Sequence, residues 1–562
     1  MSATSPIRLA AAVGLALLVA QPAAAQKAMV AAANPLATEA GIKVLREGGS
    51  AVDAAVAIQA TLGLVEPQSS GLGGGAFMVL YDAKTKRVTA YDGREWAPAG
   101  ASPDMFLGPD GKPLPFFQAV LSGRSAGVPG AIAMLHVAQK EHGRLPWASL
   151  FAGSEQLADE GFVVSPRLAG DISGNAAQAH TPDVVRYFTK PDGTKYAAGD
   201  VLKNPAYAAT LRMIANEGPA ALLTGKVAGD IVAKLAEGPI PGTMAVADLA
   251  AYRPIEEPAL CRPFKQWTVC EPPAPSGGVV TLEALGLLER TDIDKHGPTD
   301  PEGWYLLSQA ERLAYADDLQ YVADPAFVSV PTNGLLDPAY LDVRAKLIGP
   351  AAGPAPAPGR PVGAHPHGHD ATAEPGGTSS FAVVDRWGNV VSMTTTVESV
   401  FGDGRMVDGF LLNNQLTDFS LSPIGKDGAP AANAVGPHKR PRSSMSPAIV
   451  LDRQGHFVAA IGSPGGLAIP SYVLKTLVGM FDWNLSVQDA IDLPNLVSLG
   501  DFYATEPAKL APGVVEGLAA KGVKVQGGYA GEGSGLHGIV FKDGRLEGGA
   551  DPRREGVAKP CC

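Results

Sequence analysis

Several things that would announce a partner are scarce or missing. The 562 residues include four cysteines, too few for a disulfide framework, and none lies in a Cys-x-x-Cys or Cys/His spacing suited to structural zinc. Positive charge is not in excess: 45 Lys and Arg face 56 Asp and Glu, giving a formal charge of −11. No Lys/Arg block offers a track for a phosphate backbone, which argues against nucleic acid as a partner. No segment has about 18 uninterrupted apolar residues, so no membrane anchor is expected. Gly71-Leu72-Gly73-Gly74-Gly75 lacks the Lys-Ser/Thr of a phosphate loop and leads into a strand, and Thr224-Gly225-Lys226-Val227 lacks the correctly spaced first glycine. Gly462-Ser463-Pro464-Gly465 is not the Gly-x-Ser-x-Gly elbow of a serine hydrolase. His365, His367 and His369 alternate in a stretch with no acidic second shell, so no metal or other cofactor is expected.

What is present describes a large globular chain with an address. Hydrophobic residues make up 46% and charged residues 18%, enough apolar content for a sizeable core. Arg8 precedes the uncharged run Leu9 to Ala20, and Ala23-Ala24-Ala25 follows with the small residues a signal peptidase accepts. Residues 1–25 therefore read as a signal peptide of an exported protein, periplasmic or secreted, whose mature chain begins at Gln26.

Asn34-Pro35 reads as an N-cap with an N1 proline, its helix stopping at Gly48-Gly49, and Ser50 caps a second helix with Asp53 in its first turn. Residues 76–81 and 87–91 flank a turn and form a hairpin. Helical periods recur over 130–142, 146–160, 205–216, 226–237, 277–289, 302–322 and 338–347. Residues 349–377, dominated by Pro, Ala, Gly and His, read as a mobile linker. Beyond it the chain is strand-rich, with hairpins turning at 385–389 and 452–456 on the same Asp-Arg-x-Gly-x pattern and a weaker one at 542–544. Strands near both ends with helices between them suggest an α+β fold of sheets covered by helices, layered αββα.

The chemistry is legible where the linker ends, at Gly376-Gly377-Thr378-Ser379-Ser380. A cut before Thr378 would give one residue both a nucleophilic Oγ and a free α-amine, whose pKa near ~7.7–8.0 suits it to act as a base at neutral pH. Centring the hairpin turn on Trp387 pairs Val384 with Val390 and, in the same register, Thr378 with Thr396. Glu398 lies two residues further on, where a substrate's cationic amine could be held.

Here the sequence resembles a known family. Gly377-Thr378-Ser379-Ser380, Leu411 to Gln415 with Asp418-Phe419-Ser420, Lys439 to Pro447 and Gly462 to Gly466 look like the γ-glutamyltransferases, also called glutathione hydrolases. So do Gly73 to Gly75, Arg94-Glu95 with Ala97-Pro98, Gly127 to Gly130 and Pro275 to Gly278 upstream. The resemblance implies an N-terminal-nucleophile hydrolase with a four-layer αββα sandwich, made as a precursor cut between Gly377 and Thr378. The large subunit (26–377) and small subunit (378–562) would stay associated as one folded unit. It implies Thr378 as nucleophile with Thr396 beside it, and Gly465 and Gly466 as the oxyanion hole. Arg94, Ser443 and Ser444 would hold the α-carboxylate of a γ-glutamyl substrate such as glutathione, and Glu398, Gln415 and Asp418 its α-amine.

Such a zwitterion needs one cationic and one anionic partner, which Arg94 with Asp418 and Glu398 supply. The chain departs from many relatives at Glu398, at Ser379-Ser380 and at Leu467-Ala468. The aromatic lid that covers the site in relatives has no counterpart between Ser420 and Asn433, which implies a more open site with hydrolysis competing against transfer. Two other readings fit parts of the pattern: a glutaryl-selective cephalosporin acylase of the same superfamily, and a non-catalytic exported amino-acid-binding protein. Cys261 and Cys270 fall opposite each other if the chain turns at Lys265-Gln266, and a straight strand would hold them apart. No role for Cys561 and Cys562 follows from the sequence.

Overall fold

The computed structural model describes residues 2, 27–365, 367–370, 372, 374–425, 427–528 and 533–562. The expected signal peptide lies outside them apart from residue 2. Among the described residues no helix is long and apolar enough to cross a membrane.

Two antiparallel sheets form the centre. Their strands are β1 (Ala28–Ala32), β2 (Gly75–Asp82), β3 (Arg87–Asp92), β4 (Ile255–Pro258), β5 (Leu260–Phe264), β6 (Trp267–Glu271) and β7 (Thr378–Val384). They continue as β8 (Val390–Thr396), β9 (Ala448–Leu451), β10 (Phe457–Gly462), β11 (His537–Lys542), β12 (Arg545–Ala550) and β13 (Val557–Cys561). One sheet runs β13-β1-β7-β8-β2-β3-β4 and the other β12-β11-β10-β9-β6-β5. Alternating side chains of the two facing surfaces, among them Met29, Val79, Tyr81, Ala382, Val384, Ile449, Ala460 and Ile539, interdigitate in a shared apolar layer.

Each outer face is covered by helices. α1 (Pro35–Arg46), α2 (Ala51–Val65) and α3 (Ala131–His142) pack on the first sheet through Ile42, Val56 and Leu135 against Met78, Phe381 and Val391. α4 (Gly278–Leu288), α5 (Pro301–Tyr321) and α6 (Ile469–Phe481) pack on the second through Leu285, Leu307 and Leu477 against Val269, Val450 and Ile461. The result is the expected αββα sandwich. Asn34 caps α1 by accepting from Leu36 N, and Ser50 with Asp53 forms a capping box on α2. Every residue of α2 is buried, as a helix between a sheet and further helices requires.

The hairpin register is the expected one, Val384 opposite Val390 and Thr378 opposite Thr396. Asp385 and Asp452 close their turns alike, each accepting from the backbone N–H groups two and four residues on. Cys261 and Cys270 pair across the β5–β6 hairpin and are disulfide-bonded, with Lys265 in the left-handed region at φ 54°. Cys561 and Cys562 are bonded to each other.

Two expectations need correction. Residues 146–160 are not one helix: a 3-10 turn over Trp147–Leu150 precedes an α-helix over Ala152–Glu160. The break at Phe151 buries its ring 4.9 Å from that of Trp147. Nor is 349–377 a free linker, although its described residues form no helix or strand. Gly359 N donates to Asp317 at 2.6 Å, Gly368 N to Pro430 O at 2.8 Å and Asp370 N to Leu319 O at 3.1 Å. Backbone groups with no ladder of their own find partners on α5 and its surroundings, so the described residues of the stretch pack as a strap.

Candidate active site

Thr378 is the first residue of β7, and the hairpin places Thr396 directly across from it. The Thr378 hydroxyl donates to Thr396 Oγ1 at 3.1 Å, and Thr396 Oγ1 donates to the Gly377 carbonyl at 2.8 Å while accepting from Glu398 N at 2.7 Å. With its proton committed to Thr396, the Thr378 oxygen keeps its lone pairs for the carbonyl carbon that precedes it. The strand behind is pinned: Arg554 Nη1 donates to Thr378 O at 2.8 Å, and Ser379 Oγ donates at 2.7 Å to Glu66, itself paired with Arg167.

Thr378 and Thr396 face a pocket also lined by Arg94, Glu398, Gln415, Asp418, Ser443, Ser444 and Gly466. The structure thus brings together the site residues expected from the sequence, with Gly465 adjacent. Arg94 is buried. Its Nε donates to Pro441 O at 3.2 Å, and its Nη2 donates to Arg442 O at 2.5 Å and Asp418 Oδ2 at 2.6 Å. Asp418 sits on a 3-10 turn, Gln415–Asp418, and Gln415 Nε2 donates to it at 2.6 Å. Glu398 does not continue β8, which ends at Thr396. It takes a left-handed backbone (φ 82°) that turns the chain into the pocket, where it accepts from Ser399 Oγ at 2.5 Å and from Asn414 Nδ2.

Charge and satisfaction divide the pocket in two. Three buried oxygens, Glu398 Oε1, Gln415 Oε1 and Asp418 Oδ1, have no hydrogen-bond partner among the described residues. Buried acceptors without donors are uncommon, and three lining one pocket suit a ligand with several N–H donors, as an ammonium has. Burial, reinforced by the Asp418 carboxylate nearby, pushes the Glu398 carboxyl well above its usual range. Burial also raises Asp418 to about 7, against the pull of Arg94. Glu95, next along from Arg94, is raised by burial to about 8 and packs against Gly75 and Gly127.

The same pocket also carries donors. Ser443 Oγ accepts from Met445 N at 3.2 Å, leaving its own proton to donate, and Ser444 offers both N–H and hydroxyl. Between β10 and α6, Gly465 (φ 139°) and Gly466 (φ 57°) take conformations that side chains disfavour. A Cβ on Gly466 would come within 2.2 Å of the Glu374 carbonyl, so only glycine lets the two backbones approach.

Sequence reasoning missed two residues here. Glu374 reaches into the pocket from the strap, and Arg442 stands behind it. The only signal for Glu374 was an acidic residue in residues 371–378, otherwise made of Pro, Ala, Gly and Thr, whereas Arg442 lay within a recognised motif but had no role assigned. Among the described residues no cluster of His, Cys, Asp and Glu is arranged to hold a metal ion.

Known proteins match this chain over most of its length. The family model described as Gamma-glutamyltranspeptidase matches residues 37–561. The chain is 39% identical over 481 residues to a glutathione hydrolase proenzyme of Bacillus subtilis strain 168, covering 83% of this chain and 80% of that protein. It is 36% identical over 547 residues to the glutathione hydrolase proenzyme of Escherichia coli strain K12, covering 95% and 91%. Among solved structures it resembles a cephalosporin acylase from Bacillus halodurans with a TM-score of 0.82 at 26% identity, covering 98% and 99% of the two chains. With a family model spanning nearly all of it and relatives of this identity and coverage, the chain belongs to the gamma-glutamyltranspeptidase family.

Proposed function

We propose that this protein is an exported γ-glutamyltransferase and glutathione hydrolase that cuts itself before Thr378 and acts through a threonyl acyl-enzyme. The observation that carries the reading is the Thr378–Thr396–Gly377 hydrogen-bond relay beside a pocket that carries both donors for a carboxylate and unpartnered acceptors for an ammonium.

In self-cleavage, Thr378 Oγ adds to the Gly377 carbon, and the nitrogen of Thr378 leaves with the proton, giving an ester. Water then hydrolyses the ester, releasing the Gly377 carboxylate and returning the Thr378 hydroxyl beside the α-amine that the shift has already freed. The pieces, 26–377 and 378–562, have reason to stay together. In the first sheet β7 and β8 of the small chain lie between β1 and β2 of the large one, and β13 pairs with β1 from the other side.

In turnover, the free α-amine takes the Oγ proton as Oγ adds to the γ-carbonyl of a γ-glutamyl amide. The N–H groups of Gly465 and Gly466 receive the oxyanion, where one preorganised donor is worth ~3 kcal/mol. The proton passes to the leaving amine, and water or the amine of an amino acid or peptide then takes the acyl group from Thr378. Arg94, Ser443 and Ser444 hold the α-carboxylate, while Glu398, Gln415 and Asp418 hold the α-amine. Among the described residues, none of those lining the pocket comes from 420–433, which supports a site without an aromatic cover after maturation.

The likeness to a cephalosporin acylase favours a second reading, a glutaryl-selective acylase. A glutaryl group has no amine, and its binding would leave three buried oxygens unpartnered, which favours the γ-glutamyl substrate. Intact mass and N-terminal sequencing, followed by assay on γ-glutamyl and glutaryl anilides, test the whole scheme. A small chain beginning at Thr378 and a preference for the γ-glutamyl anilide are expected. A single uncut, inactive chain would instead indicate the binding-protein reading.

A further inference from the structure

Glu374 lies four residues before Thr378, and its side chain is the most completely satisfied acidic group in the pocket. Oε2 accepts from Ser444 Oγ at 2.6 Å and from Ser444 N at 3.2 Å, while Oε1 accepts from Arg442 Nη2 at 3.2 Å and Nε at 3.4 Å. Its backbone carbonyl accepts from Leu467 N at 3.2 Å, against Gly466. With Glu374 and Pro375 in place, the pocket keeps a cavity of about 20 Å³, room for little more than a water.

The donors that hold this carboxylate are built into the walls. Arg442 is buried and also pairs with Asp370 at 3.2 Å and Asp318 at 3.8 Å, so it has anchors independent of Glu374. Ser444 N belongs to a backbone fixed nearby by Ser443 N donating to Pro275 O at 2.8 Å. A guanidinium edge, a hydroxyl and a backbone N–H converging on one carboxylate form a carboxylate receptor whatever the carboxylate belongs to. The group bound there, in the same pocket as the three unpartnered acceptors, is chemically the same as the α-carboxylate of a γ-glutamyl substrate.

Building on the functional reading above, we infer that Glu374 is a built-in occupant of the substrate's α-carboxylate subsite, and that Arg442 is a binding residue of that subsite. Maturation then has two events: scission of the 377–378 bond and withdrawal of Glu374 from Ser444 and Arg442. Between them the chain is cut but blocked.

The test uses full-length Thr378→Ala, which stays uncut, and Thr378→Ala with Glu374→Ala, titrated calorimetrically with L-glutamate. L-Glutamate should bind the double variant at least about tenfold more tightly than Thr378→Ala, as loss of a charge-assisted competitor predicts. Adding Arg442→Met should weaken that binding by about tenfold or more, and Arg442→Lys should restore part of it. Equal affinity of the single and double variants, no binding by the double variant, or an unchanged affinity with Arg442→Met would each overturn the inference. Thermal melting of each variant checks that it is folded, and Arg442→Lys decides the matter if the methionine variant is not. Failure of the functional reading shows separately, as a wild-type chain that is never cut at Thr378.

Discussion

Replacing Thr396 by Val keeps the β-branched shape and removes one hydroxyl that makes three hydrogen bonds. It accepts from Thr378 Oγ1 at 3.1 Å and Glu398 N at 2.7 Å, and it donates to Gly377 O at 2.8 Å. Thr396 is 2% exposed, so water does not readily take its place. If these were ordinary neutral bonds, each would contribute ~0.5–1.5 kcal/mol, and losing one would slow a reaction by roughly 2- to 13-fold. The bond to Gly377 O differs in kind, because that oxygen gathers negative charge as Thr378 Oγ adds to the carbon beside it. A preorganised donor to such an oxyanion contributes ~3–4 kcal/mol. Self-cleavage of Thr396→Val should therefore slow by about 100-fold or more, and Thr396→Ser should cleave at close to the wild-type rate. The assay follows the uncut band on denaturing gels after expression is stopped, with N-terminal sequencing of any small chain. The Glu398 N–H left without its acceptor should also cost about 1–3 kcal/mol of stability, which a melting curve reads independently. A Thr396→Val chain that cleaves at Thr378 within about tenfold of the wild-type rate would refute the view that this hydroxyl polarises the scissile carbonyl.

Arg94→Lys keeps the charge but loses the planar fork that reaches Asp418 and two backbone carbonyls, so kcat/KM for a γ-glutamyl anilide should fall by ~1.5–3 kcal/mol, mostly through KM; unchanged kinetics would remove Arg94 from the site. Burial raises the Asp418 carboxyl to about 7, and its protonation cancels the charge an ammonium needs, so inhibition by L-glutamate should weaken as pH falls through that value. Asp418→Asn should weaken inhibition at all pH values and flatten this dependence, and a retained slope would assign it to another group. Under denaturing, non-reducing conditions no free thiol should be found, and Cys261→Ser with Cys270→Ser should lower stability by ~3 kcal/mol, the loop-closure value for so short a loop; four free thiols would reject both bridges. With added glycylglycine, hydrolysis should compete well with transfer and bulky γ-glutamyl amides should be accepted, whereas strong preference for transfer would show that another segment covers the site.

Period and turn chemistry carried much of this structure in the sequence alone. A two-residue alternation and an Asp-Arg-x-Gly-x turn fix a hairpin register, and that register set Thr378 against Thr396 before any coordinates. The caps Asn34 and Ser50 and the layered class followed from equally local signals, whereas the sequence left open whether the chain turns at Lys265 to bring Cys261 to Cys270, which the folded hairpin decided. The zwitterion pocket was legible only through family motifs, since its members come together from far apart: Arg94 and Asp418 are 324 positions apart in the chain, Arg442 and Glu374 68. Tertiary structure alone decided that the described residues of 349–377 pack as a strap, that Arg94 and Glu95 lie buried, and that Glu374 meets Ser444 and Arg442 inside the site. A segment without periodicity has no face to read, and its carboxylate finds its partners only when the folded walls supply donors that water no longer can.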